Sequence, residues 1–219
     1  MSAVAKGNLG LTQQLLKNKT IDINARDPQS GVNSFWLACL YGHGTIMREL
    51  ANNGADILVT NKRQINSLHL AIYKNHFAIA KMLIKSGFPL DRETSDGLTA
   101  LHLSAHLHRE DIVDEILSYL GESGFKKSYI SKIINRVNPK TNLSAISMAI
   151  LVDDRAIAMK LITFGAKCFL NENKNQMDLS PIFLACQIED TQMLEIMCDH
   201  GQDLNVKNSK GHTPLMFAS

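Results

Sequence analysis

Apolar residues along the chain gather into two alternating kinds of cluster. The first is a short block behind a small polar residue. Phe35-Trp36-Leu37-Ala38 follows Asn33, Leu68-His69-Leu70-Ala71 follows Asn66, and Leu101-His102-Leu103-Ser104 follows Thr99. Ile146-Ser147-Met148-Ala149 follows Ser144, Ile182-Phe183-Leu184-Ala185 follows Ser180, and Leu215-Met216-Phe217-Ala218 follows Thr213. The polar residue is of a type that accepts a hydrogen bond from a free N–H at a helix start. Pro181 and Pro214 occupy the next position, which suits proline because its missing N–H is unpaired there anyway. Each block therefore predicts a short first helix with one buried apolar residue, Phe35, Leu68, Leu101, Ile146, Ile182 or Leu215. The second kind of cluster has helical spacing. It comprises Ile46-Met47 with Leu50, Ile79 with Met82-Leu83, Ile112-Val113 with Ile116-Leu117, Ile157 with Leu161-Ile162, and Met193-Leu194 with Met197. Gly54, Gly87, Gly165 and Gly201 follow most of these and predict helix ends.

The small residues Ala38, Ala71, Ser104, Ala149, Ala185 and Ala218 stand 33, 33, 45, 36 and 33 apart. A period near 33 carrying Thr99-Ala100-Leu101-His102-Leu103-Ser104 and Thr213-Pro214-Leu215 resembles the ankyrin repeat, whose motif is T-P-L-H-x-A. The resemblance covers nearly the whole chain. It implies an all-α fold, an α-solenoid of stacked helix–turn–helix repeats with β-turn or hairpin fingers between them.

In that frame residues 1–219 form a single array. A partial repeat occupies 1–24, and full repeats follow at about 25–58, 59–91 and 92–124. The step of 45 places a twelve-residue insertion near 121–136, where Ser128 is expected to cap a short helix with Ile130, Ile133, Ile134 and Val137 on one face. Repeats at 137–170 and 171–205 come next, the loop from Asn171 to Gln176 holding the three extra residues of the 36-residue step. A partial repeat covers 206–219, and Leu215, Met216 and Phe217 lack a second helix to cover them. Arrays usually end in a unit with a polar outer face, so a longer parent protein is expected.

Composition narrows the function. Hydrophobic residues make up 45% of the chain and the net charge is +2, too small to point to nucleic acid as the main partner. No apolar run reaches the roughly 20 residues of a membrane span, and the first residues do not show the basic segment and apolar block expected of a signal peptide. Cys39, Cys168, Cys186 and Cys198 show no C-x-x-C spacing and read as reduced thiols of a cytoplasmic protein. Cys39 and Cys186 directly follow the repeated alanine, as core residues would.

Candidate chemistry is sparse. His69 and His102 occupy the motif's histidine position, where the resemblance implies a ring bonded to adjoining loops, and His43 and His76 fall in the turn between helices. His106 and His108 with Asp111 make a poor metal site, because residues two apart do not share a helix face. Phosphate loops and hydrolase or metalloprotease motifs are missing. The expectation is a non-enzyme without cofactor or metal.

The resemblance implies that the two residues before each inter-helix turn line a concave face. They are Leu40-Tyr41, Tyr73-Lys74, His106-Leu107, Leu151-Val152 and Gln187-Ile188. Finger residues beside them are Val32, Arg63, Ile65, Leu98, Leu143, Leu179 and His212. A lining this apolar marks a contact surface for a protein or extended peptide, with Tyr41 and Tyr73 as anchors. Lys126, Lys127, Lys132 and Arg136 with Tyr129 and Ile130 offer a weaker alternative, contact with an anionic partner or lipid headgroup through the insertion. The leading expectation is a monomeric protein-binding array. The alternatives are the regulatory or targeting arm of a larger enzyme or channel, and a bacterial effector that mimics host scaffolds.

Overall fold

The computed structural model describes residues 1–18, 20–169, 179–208 and 210–217. The expected loop Asn171–Gln176 lies outside them. Two compact units divide the chain, Met1–Ala100 and Leu101–Ser219.

The first unit holds three helix pairs: α1 (Ser2–Ala5) with α2 (Leu9–Lys17), α3 (Ser34–Leu40) with α4 (Gly44–Asn52), and α5 (Ser67–Tyr73) with α6 (Phe77–Lys85). First helices pack on first helices, α1 on α3 and α3 on α5, and α2 packs on α4. The capping residues form as the pattern predicts. The Asn33 carboxamide oxygen accepts from the Trp36 N–H at 3.0 Å and that of Asn66 from the His69 N–H at 2.8 Å. Both asparagines are buried, and Asn33 also donates to the Asp56 carbonyl at 2.8 Å. Phe35, Ala38, Cys39, Leu68, Ala71 and Ile72 from the first helices and Ile46, Met47, Leu50, Ile79, Leu83 and Ile84 from the second make the core.

The second unit opens with α7 (Ala100–His106), which begins one residue before the boundary, and α8 (Glu110–Glu122). After α9 (Lys127–Ile134) come two further pairs, α10 (Ala145–Leu151) with α11 (Arg155–Thr163) and α12 (Pro181–Gln187) with α13 (Thr191–Asp199), then α14 (Pro214–Phe217). Here α12 packs between α10 and α14, and α11 packs between α8 and α13. Lys160 on α11 ties it to Glu110 and Asp114 of α8, its Nζ 2.8 Å from Glu110 Oε1.

Three departures from expectation have local causes. Ser180 caps α12 without a side-chain bond, because the two N–H groups within its reach are taken, that of Phe183 by its own carbonyl at 3.0 Å and that of Ile182 by the Cys168 carbonyl at 3.1 Å. In the insertion Lys126, not Ser128, is the cap of α9, and no side chain bonds there. The added length is shared, since α8 runs thirteen residues against nine in α4, α6, α11 and α13. Ile133 and Ile134 are buried as expected, while Ile130 and Val137 are half-buried. Tyr119, Phe125 and Tyr129 join α8 to α9, with ring centroids 5.5 and 4.9 Å apart.

The fingers between pairs are turns rather than strands. Among the described residues the β pairing is one antiparallel bridge, Val137 with Ser144. Each finger within the described residues turns on a residue with positive φ: Gly31, Gln64, Gly97, Asn142 and Gly211. A side chain braces it from within, as Asp27 Oδ1 accepts from the Ser30 N–H, and Asn61, Asn138 and Asn208 accept in the same way.

Candidate partner-binding surface

In the first unit the ends of α3 and α5 present Tyr41 and Tyr73, 50% and 40% exposed. Both close their helices, Tyr41 as the cap of α3 and Tyr73 as the last residue of α5. Tyr41 stacks at 6.2 Å on His43 in the following turn. Partial burial pushes the Tyr73 phenol up from its ordinary range; nearby Arg63 opposes this and Asp96 adds to it. Arg63 and Asp96 are themselves paired at 2.9 Å on the fingers. Leu40, Ile65 and Leu98 are half-buried, and Lys74 is exposed. Tyrosine rings, an aliphatic floor and an exposed ion pair thus meet in this unit.

Val32 is a correction. It is 1% exposed and cannot serve as an exposed finger residue. The residue at this position closes the described fingers with its carbonyl, Val32 accepting the Asp27 N–H at 2.8 Å as Ile65 accepts that of Asn61 at 3.2 Å. The short valine is covered entirely, whereas the longer Ile65, Leu98 and Leu143 stay half-exposed.

In the second unit His106 and Gln187 are exposed, while Leu107, Val152, Leu143 and Leu179 are half-buried. Leu151 and Ile188 are 48% and 44% exposed and line one cleft of about 490 Å³. Sequence reasoning missed the polar part of that cleft: Asp153, Arg155, Glu189, Asp190 and Gln192. Arg155 Nε donates to Asp190 Oδ2 at 3.0 Å and its Nη1 to Gln192 Oε1 at 2.9 Å. Asp190 is buried and caps α13 through the Met193 N–H. In the insertion, Lys126, Lys127, Lys132 and Arg136 are exposed.

The histidines at the motif position are structural. His69 Nε2 lies 3.1 Å from the Arg92 carbonyl, and the indole N–H of Trp36 and the hydroxyl of Ser147 bond the carbonyls of Ile65 and Leu179 from the same position. Burial pushes His69 and His102 down to about 4, against the contrary pull of backbone carbonyls. His43 and His76 pack their rings against Gly7 and Gly42, whose positive φ and tight contact suit glycine. His108 Nδ1 pairs with Asp154 Oδ2 at 2.8 Å. Burial pushes the Cys39 and Cys168 thiols up to about 12, which suits inert core residues.

A family model described as ankyrin repeats (3 copies) matches residues 1–93 and 35–129. The chain belongs to the ankyrin-repeat family. Among solved structures, the ankyrin repeat domain of Bcl-3, a member of the IkappaB family, superposes with a TM-score of 0.83. That match covers 99% of this chain and 92% of the other at 22% identity, and it shows the fold, an all-α repeat solenoid. Two curated relatives are each 25% identical: a protein of Acanthamoeba polyphaga mimivirus described as ankyrin repeat protein L371, over 166 residues, and a Danio rerio protein described as palmitoyltransferase ZDHHC13, over 141 residues. The matches cover 76% and 64% of this chain, which spans about a fifth of either relative, 20% and 19%. Ankyrin-repeat domains are protein-interaction modules, and that general role applies to this chain. Among the described residues no helix is long and apolar enough to cross a membrane.

Proposed function

We propose that this ankyrin-repeat chain binds an extended peptide segment of an intracellular protein partner, using the helix ends before the inter-helix turns and the fingers beside them. The observation that carries this reading is the pair of half-exposed tyrosines, Tyr41 and Tyr73, on consecutive first helices beside the Arg63–Asp96 pair. Large rings with few rotamers lose little entropy on binding and dominate interface energetics. Leu151 and Ile188 extend the same chemistry in the second unit.

The test selects binders of the full chain from a random peptide library. Their affinities are then compared with a variant carrying Tyr41→Ala and Tyr73→Ala. Hot-spot aromatics are worth about 2 kcal/mol or more each, so the double variant, losing about 4 kcal/mol, should bind on the order of a thousandfold more weakly while its unfolding midpoint stays near the parent's. Undiminished binding would refute the assignment. A second reading, that such an array is the binding arm of a larger protein, is favoured by the small share of each relative that the chain spans.

A further inference from the structure

We propose that the cleft between the turns at 151–155 and 188–192 receives an apolar side chain flanked by lysine or arginine in an extended peptide. This rests on the groove reading above and assigns the chemistry of one part of it. Leu151 and Ile188 stand half-exposed on the cleft wall, a demand for an apolar occupant that the protein itself does not meet. Its volume of about 490 Å³ exceeds what one side chain fills, so the neighbouring peptide residues also lie within it.

The charges around that volume are unequal. Three carboxylates line it, Asp153, Glu189 and Asp190, against one cation, Arg155. Arg155 is already spent on Asp190 and Gln192, and it stands 3.7 Å from Asp153. Glu189 is exposed, and the Asp153 side chain is 78% exposed. Both occupy the turn position where φ is positive, 56° for Asp153 and 57° for Glu189. An approaching cation finds Glu189 exposed and Asp153 paired only at 3.7 Å with Arg155, whose same nitrogen lies closer to Asp190, at 3.0 Å. An approaching carboxylate meets net negative charge, and the guanidinium that would answer it is held by a buried aspartate. Such a rim discriminates between partners by sign more than it adds raw affinity. The corresponding turns of the first unit, Gly42-His43 and Asn75-His76, carry no carboxylate, so the preference belongs to this cleft and not to the repeat in general.

The experiment titrates the full chain, methyl-labelled at leucine and isoleucine, with three short capped peptides. They share a central leucine and differ in its flanks: lysine, serine or glutamate. The lysine-flanked peptide should shift the methyl signals of Leu151 and Ile188 and bind at least about tenfold more tightly than the glutamate-flanked one. That advantage should shrink at about 1 M salt, where charges are screened within a few ångströms. It should vanish in a variant carrying Asp153→Asn and Glu189→Gln, both exposed changes that leave the core intact. Equal binding by all three peptides overturns the inference. So does a lysine-flanked peptide that leaves Leu151 and Ile188 unmoved at millimolar concentration. Either failure leaves the tyrosine surface untouched, because that surface is tested by its own variant.

Discussion

Acidification from about pH 7 to about pH 5 should cost this chain several kilocalories per mole through two buried imidazoles. His69 and His102 are 1% exposed, and burial holds both near 4 against an ordinary value of 6.5. In the folded chain they stay neutral while in the unfolded chain they take up protons. The stability they contribute is therefore complete above pH 6.5 and is lost as pH falls toward 4. Linkage over that interval gives about 2 kcal/mol per ring at pH 5 and about 3 kcal/mol at pH 4. The groups facing His69 are the Arg92 and Gln64 backbones; His102 faces those of Arg136 and Leu143, and the Arg136 charge disfavours its protonation further. The Asp27 carboxyl, held low by Ser30, loses its contribution only as pH falls past the carboxylate range, below this window. Urea unfolding followed by circular dichroism at the two pH values measures the loss. A chain with both His69→Gln and His102→Gln should lose about 4 kcal/mol less between them, whatever its stability at neutral pH. If its unfolding midpoint falls with acid as steeply as the parent's, the buried neutral rings are not the source.

Two further outcomes concern the backbone. Gln64 holds φ at 56° where Gly31, Gly97 and Gly211 stand in other fingers, so Gln64→Gly should stabilise by about 1 kcal/mol, relief of left-handed strain exceeding the entropic cost of glycine; an unchanged or lowered melting temperature would contradict it. Asn33→Ala removes both the cap on Trp36 and the bond to the Asp56 carbonyl and should cost about 2–4 kcal/mol, whereas Ser180→Ala, with no side-chain cap bond to lose, should stay within about 0.5 kcal/mol by urea denaturation.

The fold was legible because its signals are local and repeated. Asn33, Asn66 and Ser144 show their capping role in sequence, since each precedes an apolar block by a fixed step and each bonds as that step requires. Glycines at 54, 87, 165 and 201 all take positive φ for the reason their positions suggest. Val32 was misread because exposure at a finger depends on how the folded finger packs, which the period does not encode. The bracing residues Asp27, Asn61, Thr94, Asn138 and Asn208 recur in phase, six before the block's polar residue or five, yet their polarity looks like ordinary loop composition. The acidic cleft was missed for a different reason. Asp153 and Glu189 lie on turns 36 residues apart, and only folding brings those two turns together around one cleft.

The insertion ends where two clamps resemble each other. The Asn135 carboxamide accepts the Lys167 N–H at 2.8 Å, as that of Asn24 accepts the Asp56 N–H at 2.6 Å, each asparagine nine residues before its capping residue. All the added length lies upstream of that clamp, so the chain re-enters phase before the next helix pair begins. Residues 121–134 are thus a socket in the chain's own numbering. What anchors the segment to the array is the burial of Ile133 and Ile134, and its contact with the next repeat runs past Gly121, which lies against the Phe164 ring.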